Sequence, residues 1–211
     1  MIKVKNISKE FDKSPVLKGI STIFEKGKTN LIIGQSGSGK TVFLKCLLGL
    51  FETNSGQIFF ENSPINLMST KERTVLRQEI GMVFQGSALF DSMTVEENIM
   101  FPMQMFTKKD DDEVRERANQ VIKRVNLINA NDKYPDEISG GMKKRVAIAR
   151  SIVMNPKYLF CDEPNSGLDP KTAILIDNLI QEIIVVLYID TLCVTNTNLW
   201  LTIKMEALET K

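Results

Sequence analysis

An α/β domain interrupted by a helical insertion is the fold class that these 211 residues predict. Three observations carry it. Short β-favouring runs bounded by Gly, Asn, Asp or Pro occupy the first part of the chain. Helical patterning replaces them over about 87–150. A wholly apolar run, Tyr158-Leu159-Phe160-Cys161, then restores strand character.

Taken in order, strands are expected over 2–7, 21–24, 29–33 and 57–60. Leu31-Ile32-Ile33 ends at Gly34 and suits a central strand covered on both faces. A helix follows over 41–51, with Val42, Leu44, Leu47 and Leu48 as its buried stripe. The insertion carries an acidic stretch over 110–113 and a turn at Tyr134-Pro135-Asp136. After the strand 158–161 come a helix over 170–186 and a strand over 191–195. The chain is thus expected to be a single domain over 1–211. Its core is 1–86 with 151–197, its helical part 87–150, and its divergent tail 198–211.

A chain of this length buries about 70% of its unfolded surface, enough for a core without staples. Lys and Arg number 27 against 26 Asp and Glu, giving net +1. That balance disfavours a protein that tracks nucleic-acid phosphates, and no nucleic-acid partner is expected. Cys46, Cys161 and Cys193 are scattered and there is no His, which disfavours zinc sites, disulfide frameworks and His-based triads. The longest apolar run, 183–189, is far short of the roughly 20 residues that span a bilayer. No signal peptide is expected, and a membrane role would come through a partner.

Gly34-Gln35-Ser36-Gly37-Ser38-Gly39-Lys40-Thr41 fits G-x-x-x-x-G-K-[ST] between a strand and a helix. Glycines let the backbone N–H groups turn inward onto phosphate oxygens. Lys40 would reach the β- and γ-phosphates of a nucleotide, and the Thr41 hydroxyl would bind Mg²⁺. The helix N-terminus favours the same anion. Asp162-Glu163 ends the apolar strand; Asp162 can hold Mg²⁺ and Glu163 can polarise an attacking water. Alone, that pair more often marks a strand entering a turn. Ser139-Gly140-Gly141-Met142 stands before a helix and forms a second anion receptor. One nucleotide cannot easily use both loops of one chain, so a homodimer is expected in which each nucleotide lies between one phosphate loop and the partner's Ser-Gly-Gly.

These motifs resemble, in order, those of ABC transporter ATPase subunits. Walker A covers Gly34 to Thr41, Val83-Phe84-Gln85 looks like the Q-loop, and Ile138-Ser139-Gly140-Gly141-Met142 like the signature. Walker B ends in Asp162-Glu163, and Ser166-Gly167-Leu168-Asp169 looks like the D-loop. The resemblance covers about 1–197. It implies a P-loop NTPase (RecA-like) core with an N-terminal antiparallel β subdomain and an inserted α-helical subdomain. It implies Gln85 as a catalytic and Mg²⁺-binding residue, and Phe11 as the aromatic that stacks on adenine. The plain alternative for Phe11 is a strand-end core residue. Met142 and the run Gly81-Met82-Val83-Phe84-Gln85-Gly86-Ser87-Ala88-Leu89-Phe90 look, more narrowly, like Mla-type lipid-trafficking ATPases. Those serve permeases associated with an Mce-domain protein, on the cytoplasmic face of the inner membrane.

The segment 100–106 is rich in Met and Phe. It is either core packing or, by the resemblance, the seat of a permease helix. Lys143-Lys144-Arg145 reads as a solvated helix face. At one place the pattern fails: Asn196 stands where the family carries a histidine. The tail beyond Thr197 also departs from the family, so a truncated, divergent or frameshifted C-terminal end is expected. Two functions follow: an ATP-hydrolysing transporter motor, or an ATP-binding switch or scaffold impaired in hydrolysis.

Overall fold

The computed structural model describes residues 1–187 and 189–195. Asn196 and the tail 198–211 therefore lie outside the described residues.

Two four-stranded sheets organise the described residues. The first is antiparallel. Strands β1 (Ile2–Phe11) and β2 (Ser14–Phe24) form a hairpin whose turn residues, Asp12 and Lys13, both take positive φ. That left-handed pair matches the twist of the strands it joins. Strands β4 (Ser55–Phe60) and β5 (Ser63–Pro64) extend it in the order β2-β1-β4-β5. The second sheet is parallel, in the order β3 (Thr29–Ile33), β8 (Asp190–Thr195), β7 (Tyr158–Asp162), β6 (Ile80–Val83).

Strand β7 is buried on both faces, and successive side chains point to opposite sides. Tyr158 and Phe160 join one core with β1, β4 and the helix after β3. Leu159 and Cys161 join the other, with the helical insertion. β8 does the same, sending Leu192 and Val194 one way and Cys193 the other. For β3 a central place covered on both faces is expected. Among the described residues it pairs only with β8, and Ile33 is 44% exposed. An apolar triplet signals covered faces, not two hydrogen-bonded edges.

The helix after β3, α1 (Lys40–Leu47), is shorter than expected. Gly49 takes a positive φ, and the amides of Leu50 and Phe51 both return to the Lys45 carbonyl, closing the helix early. The stretch 61–86, given no element from the sequence, holds α2 (Thr70–Gln78) and β6. In the insertion, α3 (Val95–Phe106) starts at a Thr94–Glu97 capping box. α4 (Asp111–Arg124) starts where Asp110 caps the Glu113 amide at 2.9 Å, which explains the acidic stretch. The turn at Tyr134 is one turn of 3₁₀ helix over Pro135–Glu137, and α5 (Gly140–Ile152) follows. The last helix, α6 (Pro170–Leu187), agrees with the expectation to within a residue. No described helix is long and apolar enough to cross a membrane.

Candidate functional site at the strand ends

The C-terminal ends of β3, β7 and β6 converge, and with them Lys40, Thr41, Asp162, Glu163 and Gln85. Parallel strands release their loops at one edge, where α/β sheets bind ligands. The loop after β3 is shaped by Gly37 and Gly39, both left-handed, with φ 79° and 90°. Gly39 also lacks room: a Cβ there would stand 3.0 Å from Val16 Cγ1. It is the residue before α1, and its carbonyl accepts the Phe43 amide at 2.8 Å.

Lys40 opens α1 and is buried to 8% exposure. Its ammonium folds back over the loop, donating to the carbonyls of Gly34 (2.7 Å) and Gln35 (2.8 Å). Thr41 Oγ1 donates to Asp162 Oδ1 at 3.2 Å. A hydroxyl and a carboxylate paired at a phosphate loop are the oxygen donors Mg²⁺ prefers, so these residues fit the ion.

Glu163 takes a left-handed backbone, φ 46°, and its amide donates to the Val194 carbonyl at 3.0 Å. A carboxylate held in this sparsely populated region costs on the order of 1–3 kcal/mol and persists where its surroundings fix it. Here they do. Oε2 accepts from Gln85 Nε2 at 3.1 Å, and Oε1 lies 4.0 Å from Lys40 Nζ.

Lys144 corrects the sequence reading. It is 5% exposed, not solvated, and donates to the Gln85 carbonyl. Burial lowers its pKa, and the charge of Glu163 opposes that shift. Its neighbours are occupied too, since Arg145 Nη1 donates to the Val125 carbonyl at 3.0 Å. The signal was available: Lys144, Ile148 and Ile152 recur every four residues on the buried face of α5. Two residues further round, Arg150 donates to the carbonyls of Ser87 (2.9 Å) and Ala88 (2.8 Å), both at positive φ.

The Ser139-Gly140-Gly141 segment stands apart from this cluster. Ser139 caps α5 by accepting the Met142 amide at 3.2 Å, and Ser139 and Gly140 are exposed. A Cβ at Gly141 would meet Thr172 Cγ2 at 2.8 Å, so the helix start lies close against that of α6. There Asp169 accepts the Thr172 amide at 3.0 Å, and hydrogen bonding to Thr172 holds its carboxyl below the usual range. Phe11 packs edge-on against Phe51 (5.4 Å between centroids) with Lys9 over its ring. The Phe51 amide donates to the Lys45 carbonyl at 3.2 Å, which seats the Phe11–Phe51 pair beside α1.

The Met/Phe segment divides between its two readings. Met100 and Met103 are buried in the core, whereas Met105 and Phe106 are exposed. Beside them runs a cavity of about 320 Å³ lined by Phe84, Phe90, Phe101, Pro102, Phe106 and Met154.

Comparison with known proteins agrees with this geometry. The profile of the family described as ABC transporter matches residues 17–166. A protein of Mycobacterium leprae named probable ribonucleotide transport ATP-binding protein mkl is 38% identical over 86% of this chain and 52% of its own length. The chain thus spans about half the length of that curated relative. The arginine transport ATP-binding protein ArtM of Bacillus subtilis is 41% identical over 87% of this chain and 76% of its own. Among solved structures, a dimeric ATP-binding cassette described as a post-hydrolysis state bound to ADP and Pi superposes with a TM-score of 0.83. It is 30% identical and covers 93% of this chain and 88% of its own.

Proposed function

For this chain, which belongs to the ABC transporter family, we propose the role of ATP-binding and ATP-hydrolysing subunit of a membrane transporter. The observation that carries the reading is the convergence of Lys40, Thr41, Asp162, Glu163 and Gln85 around one glycine-shaped loop. The loop over 34–39 and the α1 N-terminus receive the phosphates, and Lys40 exchanges its two carbonyl partners for phosphate oxygens. Thr41, Asp162 and Gln85 would hold Mg²⁺, which when bound would supply charge neutralisation on the phosphates. Glu163 accepts the proton of the attacking water, and Gln85 fixes the carboxylate that does so. Phe11 is proposed as the adenine platform.

The exposed Ser139 and Gly140 at the start of α5 support a homodimer in which this segment completes the partner's nucleotide site. The apolar cavity beside α3 supports docking of a permease segment, so the chain would work at the cytoplasmic face of the inner membrane. For the cargo we favour phospholipid, with an Mce-domain partner, on the strength of Met142 and the run from Gly81 to Phe90. The relatives carry names for ribonucleotide and arginine transport. A second reading, an ATP-binding switch impaired in hydrolysis, is favoured by Asn196 in place of a histidine. Single-turnover hydrolysis separates the two.

The primary test is ATP affinity by calorimetry. Lys40→Ala removes the point charge aimed at the β/γ-phosphates and is expected to abolish tight binding. Equal affinity in parent and variant would overturn the phosphate-loop assignment.

A further inference from the structure

We infer that Lys144 is a positioning residue that ties the helix behind the Ser139-Gly140-Gly141 segment to the catalytic carboxylate; the inference rests on the functional reading above. The chain of contacts is short. Lys144 donates to the backbone carbonyl of Gln85. The Gln85 side chain donates to Glu163 Oε2 at 3.1 Å. Lys144 and Ser139 sit on one continuous helix, α5 and its cap. A displacement at the exposed Ser139 end therefore reaches Glu163 through Lys144 and Gln85.

Three features argue that this is more than packing. First, an ammonium buried to 5% exposure is costly unless its partner needs it, and an apolar side chain would fill the space without that cost. Second, the same helix holds the same loop at a second point. Arg150, about 9 Å further along the axis, grips the carbonyls of Ser87 and Ala88. Third, the loop between these anchors is not regular structure that would hold itself. Ser87 and Ala88 are both left-handed, and the Ser87 amide closes a turn onto the Phe84 carbonyl at 3.0 Å. Two charge-assisted grips from one helix make loop and helix move together. Lys144 sets the position of Gln85, and Arg150 sets that of the residues after it.

The test compares parent, Lys144→Met and Lys144→Arg. Met fills the same volume and removes the donor; Arg restores a cationic donor. Amide hydrogen exchange over 84–88 is expected to quicken at least tenfold in Lys144→Met, with 146–152 unchanged. Affinity for ATP without Mg²⁺ should stay within twofold of the parent. Any turnover should lose kcat with KM for ATP unaltered, since the carboxylate is misplaced while the phosphate contacts remain. Lys144→Arg should recover most of each effect. Parent-like exchange over 84–88 in Lys144→Met would overturn the inference. So would exchange quickened equally along all of α5, the signature of lost packing alone. Failure of the functional reading shows differently: the parent would bind no ATP and Lys40→Ala would match it. The exchange pattern would still decide the role of Lys144.

Discussion

Replacing Asp177 by Asn is expected to stabilise the protein at neutral pH and to do so less as the pH falls. Asp177 lies on the inner face of α6 with no exposed surface. Its only described hydrogen-bond donor is Asn165, whose Nδ2 reaches both carboxylate oxygens at 3.2 and 3.0 Å. Cys193, a free thiol hydrogen-bonded to that of Cys161, is a titratable group that feels its charge. One amide does not replace the water lost, and burial pushes the carboxyl from the usual 3.8 to about 6. Two units correspond to about 3 kcal/mol. The sign follows from proton binding. Between pH 4 and 6 the folded chain holds a proton that the unfolded chain has released, so stability is fully present below the unfolded pKa and is lost as the pH rises through 6. At pH 7.5 the fold therefore carries an ionised, poorly paired carboxylate. Asp177→Asn keeps the shape and removes the charge. Urea unfolding at pH 7.5 should show a gain of about 2 kcal/mol, with an unchanged m-value. That gain should shrink as the pH falls below 6 and vanish below 3.8, where both states hold the proton. A variant less stable than the parent at pH 7.5, or a difference flat with pH, would refute the reasoning.

Glu163→Gln should leave ATP affinity intact and slow hydrolysis by about 10²–10⁴, because an amide cannot take the proton of water; single-turnover assays measure it. Asn196→His should raise the single-turnover rate of the parent by up to about 10²-fold if a transition-state donor is what the position lacks, and brisk hydrolysis by the unaltered chain would remove that reasoning. Gly81→Ala should lower thermal stability by about 1–3 kcal/mol. Its Cβ would fall 2.2 Å from the Ser151 carbonyl oxygen, and backbone of α5 cannot yield as a side-chain tip would.

The phosphate loop and the Asp162-Glu163 pair were legible because each is a contiguous run whose chemistry is local. Strand β3 and helix α6 were legible for the same reason: period and boundary residues sit within the element. What was missed depends on distance. Helix α2 is polar, with Leu76 its buried residue, so periodicity did not announce it. Its start signal, Ser69 with Glu72, was there to read. Lys144 looked like one of three surface cations, since nothing adjacent in sequence tells a lysine that its partner is a carbonyl 59 residues away. The place of β3 beside β8 was likewise hidden, because strand order is set by crossovers and not by the strand. The joining of Gln85 to Glu163 spans 78 residues and followed only from the family resemblance.

The two cores that meet on β7 make the protein two cooperative units sharing a wall. Leu159 and Cys161 belong to the unit that includes α3, α4 and α5; Tyr158 and Phe160 belong to the one that includes α1 and the antiparallel sheet. Partial opening is therefore available along that wall. The helical unit can loosen, and with it the Ser139 end of α5, at a cost below that of global unfolding. The loop that carries Lys40 is anchored in the other unit and stays formed. Deuterium uptake under native conditions would register this as two populations of slow amides. A large-to-small substitution at Phe160 would hasten the α1 set first, and one at Leu159 the α5 set.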